Sequence, residues 1–225
     1  MVSADRGIPT FRDGATGLWN NVDPDEVASI AGFLRNPQRA WEWLRQFKGL
    51  VDDRSPNAGH RALARLEELT AGRRFTVITQ NVDGYHANAG NQRVLEIHGT
   101  IHRVRCHLRC GFAECWDPDS SKPFDCPACS APVHPDLVMF GEMLDEEVFS
   151  AAENESLRAD AFFSVGTSFT AQPAARPPVW AKSSGARVIE VNPHPTALSG
   201  LADFSIRSGA LEFFEALCRV IEPNA

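Results

Sequence analysis

Gly72–Gly84 reads GRRFTVITQNVDG, and this stretch decides the fold. Up to Gly72 the apolar residues recur at helical spacing; from Phe75 the period changes, and a short run, FTVIT, stops at Gln80 and Asn81. A short apolar run bounded by polar and turn residues reads as a buried strand of a parallel sheet. The same signature recurs as VLEI before His98, LVMF before Gly141, AFFSVG before Thr167 and RVIEV before Asn192. Helical stretches lie between several of these runs, one beginning near Gln172 and a last one from about Ala210 to Ile221. Strand and helix in alternation predict an α/β sheet.

In such sheets ligands bind beyond the carboxyl ends of the strands, so the residues after each run are the candidates for chemistry. They are Gln80, Asn81 and Asp83, then His98, then Thr167 and Ser168, then Asn192. A lone histidine is more often a hydrogen-bonded core residue than a working one; several polar residues converging on one sheet edge reverse that balance. Two helices precede the strands. PQRAWEWLRQFKGL is bounded by Pro37 and Gly49, with Trp41, Leu44 and either Phe47 or Lys48 as packing residues. SPNAGHRALARLEELTAGRR is expected to be capped by Ser55, to carry Pro56 in its first turn, to bury Ala62, Leu63, Leu66 and Leu69, and to stop at Gly72.

At 225 residues the chain suits one large domain, or one with a smaller domain inserted. No apolar run approaches the roughly 18 residues of a membrane span, and no basic-then-apolar leader opens the chain, so no membrane partner and a cytoplasmic location are expected. The formal charge of −7 argues against direct nucleic-acid binding and fits basic protein partners better. Of six cysteines, five fall between Cys106 and Cys129, which points to metal rather than disulfides. Cys106 and Cys110 form one knuckle, Cys126 and Cys129 the other, and four thiolates close a tetrahedral zinc shell with no open position. The zinc is therefore structural. Cys115 or His107 in place of one ligand remains open, and Cys218 on the last helix reads as a buried apolar residue.

TQNVDGYHANAG, LEIHGTIHRVRC, the four cysteines, HPDLVMFGE, VGTSFTAQPAA and VIEVNP stand in the order and spacing of the sirtuins, and GIPTFRDGATGLW and PNAGHRALARLE match as well. The resemblance runs from Val2 to about Leu217. It implies a Rossmann-like parallel sheet with helices on both faces, plus a small inserted zinc-ribbon and helical domain. The implied division is 1–22, 71–101 and 137–225 for the NAD-binding domain, 23–70 for the helical module and 102–136 for the ribbon. The implied activity is NAD-dependent removal of acyl groups from protein lysines, giving nicotinamide, O-acyl-ADP-ribose and free lysine. His98 would be the base on the ribose hydroxyl and Asn81 its catalytic companion. Gln80, Asn81, Val82, Asp83, Gly166, Thr167, Ser168, Asn192, Pro193 and Ala210 would hold NAD, with Phe11 and Arg12 on a loop over it. Val138, Phe140, Gly141 and Glu142 would receive the acyl-lysine substrate as an added strand.

Two departures refine the expectation. The branch that removes succinyl or malonyl groups carries Tyr-x-x-Arg near Trp43, where this chain has WEWLRQF, so acetyl is the expected acyl group. Family members also have a core strand ending in Gly-Ala-Gly directly before the segment that starts here at Val2, and Arg6 replaces a small residue. The chain is thus expected to start one strand and two glycines late, with the functional form beginning upstream. Three classes stay open: a deacylase, an ADP-ribosyltransferase, and a catalytically impaired module that binds NAD or peptide.

Overall fold

The computed structural model describes residues 22–117 and 125–222. The expectations for Phe11, Arg12 and the opening of the chain lie outside the described residues.

Helices α1 (Pro24–Val27), α2 (Ile30–Arg35) and α3 (Pro37–Asp52) follow one another closely, each begun by a side chain that accepts from its own first turn: Asp23, Ser29 and Asn36. α3 does not end at Gly49 as its sequence suggests but continues through it. A glycine costs a helix about 1 kcal/mol, less than the roughly 1.5–3 kcal/mol from burying Val51, which is 1% exposed two residues on. α4 (Ala58–Leu69) is capped by Asn57, not Ser55. Asn57 accepts from the His60 amide while His60 Nδ1 accepts from the Asn57 amide, a reciprocal pair that Ser55 cannot form. Leu63 and Leu66 on the expected face are buried.

β1 (Val77–Thr79) is followed by α5 (Tyr85–Asn88) and pairs in parallel with β2 (Val94–Glu96). β3 (Gly99–Cys106), β4 (Ala113–Cys115) and β5 (Val133–Leu137) then form an antiparallel sheet in the order β4-β3-β5. Beyond α6 (Glu146–Leu157) come β6 (Ala161–Val165), α7 (Pro177–Ser183), β7 (Arg187–Val191), β8 (Phe204–Ile206) and α8 (Ala210–Ile221). β6, β7 and β8 are parallel neighbours in that order. The helix expected near Gln172 begins at Pro177. The parallel strands thus stand as two blocks, β2-β1 and β6-β7-β8, which are the 3-2 and 4-5-6 parts of the doubly wound order 3-2-1-4-5-6. Among the described residues no strand pairs with the second edge of β1 or of β6. A shared apolar cluster joins the blocks: Leu63 and Leu66 of α4, Val77 of β1, Val165 of β6, and Ala210, Phe214 and Cys218 of α8.

LVMF is not a parallel strand. β5 ends at Leu137 and runs antiparallel to β3, with Gly99 opposite Leu137; beyond it the Val138 amide donates to the His98 carbonyl, and Phe140 bridges to Ser29. The run is apolar because it enters a second core. That core joins α1–α3 to the antiparallel sheet through Val27, Phe33, Trp41, Leu44, Ile101, Val104, Val133 and Met139. Trp41 meets Trp116 edge-on at 5.2 Å, and Phe33 meets His134 at 5.4 Å.

Candidate active site and metal centre

Thr79 of β1 lies opposite Glu96 of β2, and the Ile97 amide donates to the Thr79 carbonyl at 3.0 Å, so Gln80–Asp83 and His98 leave the sheet side by side. His98 Nδ1 sits 3.1 Å from the Gln80 carbonyl oxygen. A carbonyl only accepts, so Nδ1 carries the proton and Nε2 keeps its lone pair. Burial pushes the His98 pKa below the ordinary histidine value, and the Gln80 bond pulls it partly back. The ring is therefore neutral at physiological pH. Gln80 donates its side-chain amide to the Ala174 carbonyl at 3.2 Å, tying the end of β1 to the loop after β6. The Asn81 amide donates to Thr79 Oγ1. Asp83, buried, accepts from the Tyr85 amide at 3.0 Å, and its carbonyl lies 2.9 Å from His102 Nε2. Val82 is held through its carbonyl by the Ile101 amide.

In the second block Val165 lies opposite Val191, which sets Gly166 beside Asn192. The Gly166 amide donates to the Val191 carbonyl, and Asn192 Nδ2 donates to the Thr167 carbonyl at 2.9 Å. Thr167 Oγ1 accepts from Phe169, Ser168 Oγ lies 2.9 Å from Thr170 Oγ1, and Pro193 is exposed. Small hydroxyls and loop backbone therefore sit at the same strand ends, the place such folds use for phosphate and ribose. Ala210 is buried in the cluster of α4 and α8 rather than set among these polar loops.

Cys106, Cys110, Cys126 and Cys129 bring their sulfurs within 4.8 Å of one another, and all are free thiols. Cys106 Sγ is 3.4 Å from Cys129 Sγ, and Cys110 Sγ is 3.4 Å from Cys126 Sγ. Zinc–sulfur bonds of about 2.3 Å place tetrahedral ligands roughly 3.8 Å apart, so the tetrad fits zinc. Neither alternative ligand joins it: Cys115 is exposed on β4, and His107 turns to a different cluster. Cys218 is buried, with its thiol on the Ala62 carbonyl.

The sequence profile of the Sir2 family matches residues 1–173. The chain belongs to the Sir2 family. Similar relatives include an NAD-dependent protein deacylase of Aeropyrum pernix, 45% identical over 98% of this chain and 89% of its own. One of Mycobacterium tuberculosis is 41% identical over 96% and 92%. A Sir2 homologue solved with NAD superposes with a TM-score of 0.88 at 39% identity, covering 98% of this chain and 85% of that one. A mutant Sir2 homologue bound to 2′-O-acetyl ADP-ribose gives 0.87 at 40%, covering 98% and 88%.

In this sirtuin the strand ends alone do not account for the whole site. Gly99, at φ +73°, meets β5 so closely that a Cβ there would lie 2.1 Å from the Asp136 carbonyl oxygen, so only glycine lets the two strands approach here. The amides of Val138, Met139 and Phe140 donate to the His98 carbonyl, Glu142 Oε2 and the Ala28 carbonyl, and Glu142 Oε1 accepts from Arg105. The Phe140 side chain is half exposed, and Gly141 is exposed beside it. Sequence reasoning passed over Glu190. It is 1% exposed and accepts from Thr196, Ser199, Ser205 and Arg207, so one carboxylate organises the loops after β7 and β8. Its signal was an acidic residue inside the apolar run RVIEV.

Proposed function

We propose that this sirtuin is an NAD-dependent protein lysine deacylase, with acetyl-lysine as its first substrate. The observation that carries the reading is the Gln80–His98 contact at the carboxyl ends of β1 and β2. It fixes the tautomer, with the proton on Nδ1, and burial keeps the ring neutral, so the Nε2 lone pair is available as a general base. NAD supplies the ribose to which the acyl group passes, which makes the reaction a transfer. His98 takes the proton from the ribose hydroxyl; Asn81 and Gln80 orient the ribose; Asp83 receives the nicotinamide amide. Gly166, Thr167 and Ser168 hold the phosphates, and Asn192 with Pro193 the adenosine, while Ala210, buried in the cluster of α4 and α8, acts on adenine only through that packing. Val138 and Phe140 line the acyl-lysine channel, and Gly141 with Glu142 completes the loop on which the peptide lies. Because the amides of Val138–Phe140 have partners within the chain, the peptide backbone pairs with the carbonyls of this segment and with Gly141.

The domain division of the sequence reading is retained with one change. α4 joins the NAD-binding side, because it packs on α8, while α1–α3 share a core with the ribbon. Four zinc-bound thiolates suit the reducing cytoplasm. Among the described residues no helix is long and apolar enough to cross a membrane. The acidic net charge favours protein over nucleic acid as the partner.

Mass spectrometry of an acetyl-lysine peptide incubated with NAD tests the proposal. Deacetylated peptide together with O-acetyl-ADP-ribose is expected. ADP-ribosylated protein with the peptide intact would replace deacylation by ADP-ribosyl transfer, and NAD binding without any product would leave a binding module.

A further inference from the structure

We propose that His107, His134 and Glu142 bind a second divalent transition-metal ion of zinc's class, beside the cysteine tetrad and separate from it. The three side chains place one ligand atom each within 4.8 Å of one another. Strand register brings them together: Cys106 lies opposite Val133 and Arg105 opposite His134, and the His107 amide donates to the Pro132 carbonyl.

His134 is fully buried, and its Nδ1 lies 2.7 Å from the Pro135 carbonyl oxygen. The carbonyl makes Nδ1 the protonated nitrogen, so Nε2 presents a lone pair, and it has no hydrogen-bond partner. Opposite Nε2, at 3.5 Å, stands Glu142 Oε1. Two acceptors facing each other across a buried gap repel unless a cation lies between them. A proton would serve that pair but would leave the third group, since His107 Nδ1 is also buried without a partner. A metal ion serves all three.

The distances agree with this assignment. Nitrogen and oxygen ligands about 2.0–2.1 Å from a tetrahedral ion stand roughly 3.3–3.5 Å apart, the separation already present between His134 and Glu142. The His107 and His134 rings lie 5.9 Å apart, and the ligand atom of His107 already lies within 4.8 Å of the other two. The outer contacts are those a ligated carboxylate and imidazole need: Pro135 orients His134, while Arg105 Nη2 and the Met139 amide each hold one Glu142 oxygen at 3.0 Å. Arg105 is itself paired with Asp136 at 3.2 Å, which offsets its charge beside the ion. Two histidines and one carboxylate leave a fourth position for water, unlike the closed tetrad. This inference stands whether or not the chain is a deacylase.

The test uses purified full-length protein whose tetrad is filled with zinc, titrated with cobalt(II). One further equivalent is expected to bind, giving visible d–d bands without the thiolate-to-cobalt charge transfer of a cysteine site. Excess zinc followed by desalting should leave two zinc ions per chain. His107→Phe keeps an aromatic ring at the site; it should retain the tetrad zinc and weaken cobalt binding at least tenfold, and His107→Asn is the second variant should the first fail to fold. No cobalt beyond the tetrad, charge-transfer bands on the added metal, or a second equivalent undiminished in a folded His107 variant would each overturn the proposal.

Discussion

His98 Nδ1 lies 3.1 Å from the carbonyl oxygen of Gln80, so the end of β1 that carries Gln80 and Asn81 also sets the tautomer of the proposed base. The same histidine accepts the Val138 amide at its own carbonyl, which links it to the segment leading to Phe140. The proposed base, cofactor edge and acyl channel therefore share one backbone frame, and a shift in β1 would be felt by all three.

His98→Asn should lower kcat for deacetylation by about 10²–10⁴, the range general-base catalysis supplies, while leaving the melting temperature near that of the parent. Because burial holds the His98 pKa below the ordinary value, the acid limb of the pH–rate profile should lie below that of a free histidine. An unchanged kcat would remove His98 from the role of base.

Replacing Cys126, buried at the junction of ribbon and helices, by serine should abolish tetrad metal and the cooperative folding of the small domain. Zinc binding by such tetrads is worth about 10–16 kcal/mol in peptides, against a total stability of about 5–15 kcal/mol for a typical domain. Cys115→Ser, on exposed β4, should change neither. Metal analysis and a thermal melt on both variants check this, and loss of tetrad zinc from the Cys115 variant would reassign a ligand.

Acetyl-lysine peptide should be cleaved at least tenfold faster, in kcat/KM, than its succinyl counterpart. In α3 Trp43 stacks on Phe47 at 5.6 Å, and the Arg45 guanidinium lies 5.6 Å over Trp41, so neither presents the Tyr-x-x-Arg pair to a carboxylate. Burying a carboxylate without such a partner costs several kcal/mol, and 1.4 kcal/mol is already tenfold. A succinyl peptide cleaved as fast as the acetyl one would reverse the assignment.

How far the sequence carries depends on what each residue has to satisfy. β1 was legible because both of its faces meet apolar neighbours, Val77 in the cluster of α4 and α8 and Ile78 beside Ile97 and Ala152, while β6 and β7 keep mainly apolar runs interrupted by the buried Ser164 and Glu190. β3 showed no such period: Ile101, Val104 and Cys106 enter the helix core while Arg105, also buried, is held by Asp136 and Glu142. LVMF was misread because an apolar run looks the same entering either core, and only the pairing of Gly99 with Leu137 assigns it. The polar strand ends of the site could be read directly. The His107–His134–Glu142 cluster could not, since it exists only through the register of β3 against β5.

The last prediction concerns acid. His60 is fully buried, edge-on to His86 at 4.8 Å, and its pKa is lowered to about 3 by burial first, then by the charges of His86 and Arg61. His86 is lowered as well, by burial, with Asp83 and Asn91 pulling the other way. Unfolded histidines titrate near 6.5, so as pH falls below that value the unfolded chain takes up protons that the folded chain refuses. Stability contributed by these neutral rings is present above about pH 6.5 and is lost as pH falls toward 3 for His60. The depressed carboxylates Glu155 and Asp203, both at about 2, lose their contribution only further down, below the ordinary carboxylate range near 4. Between about pH 6 and 4.5 the lowered histidines therefore pull stability down as pH falls, against Glu96, whose pKa burial raises and whose contribution runs the other way. Urea unfolding across that window should show stability falling with pH, and His60→Gln should flatten the fall by about one proton, roughly 1.4 kcal/mol per pH unit. A parent curve level across the window, or a His60→Gln slope equal to the parent's, would mean that His60 is protonated in the folded chain.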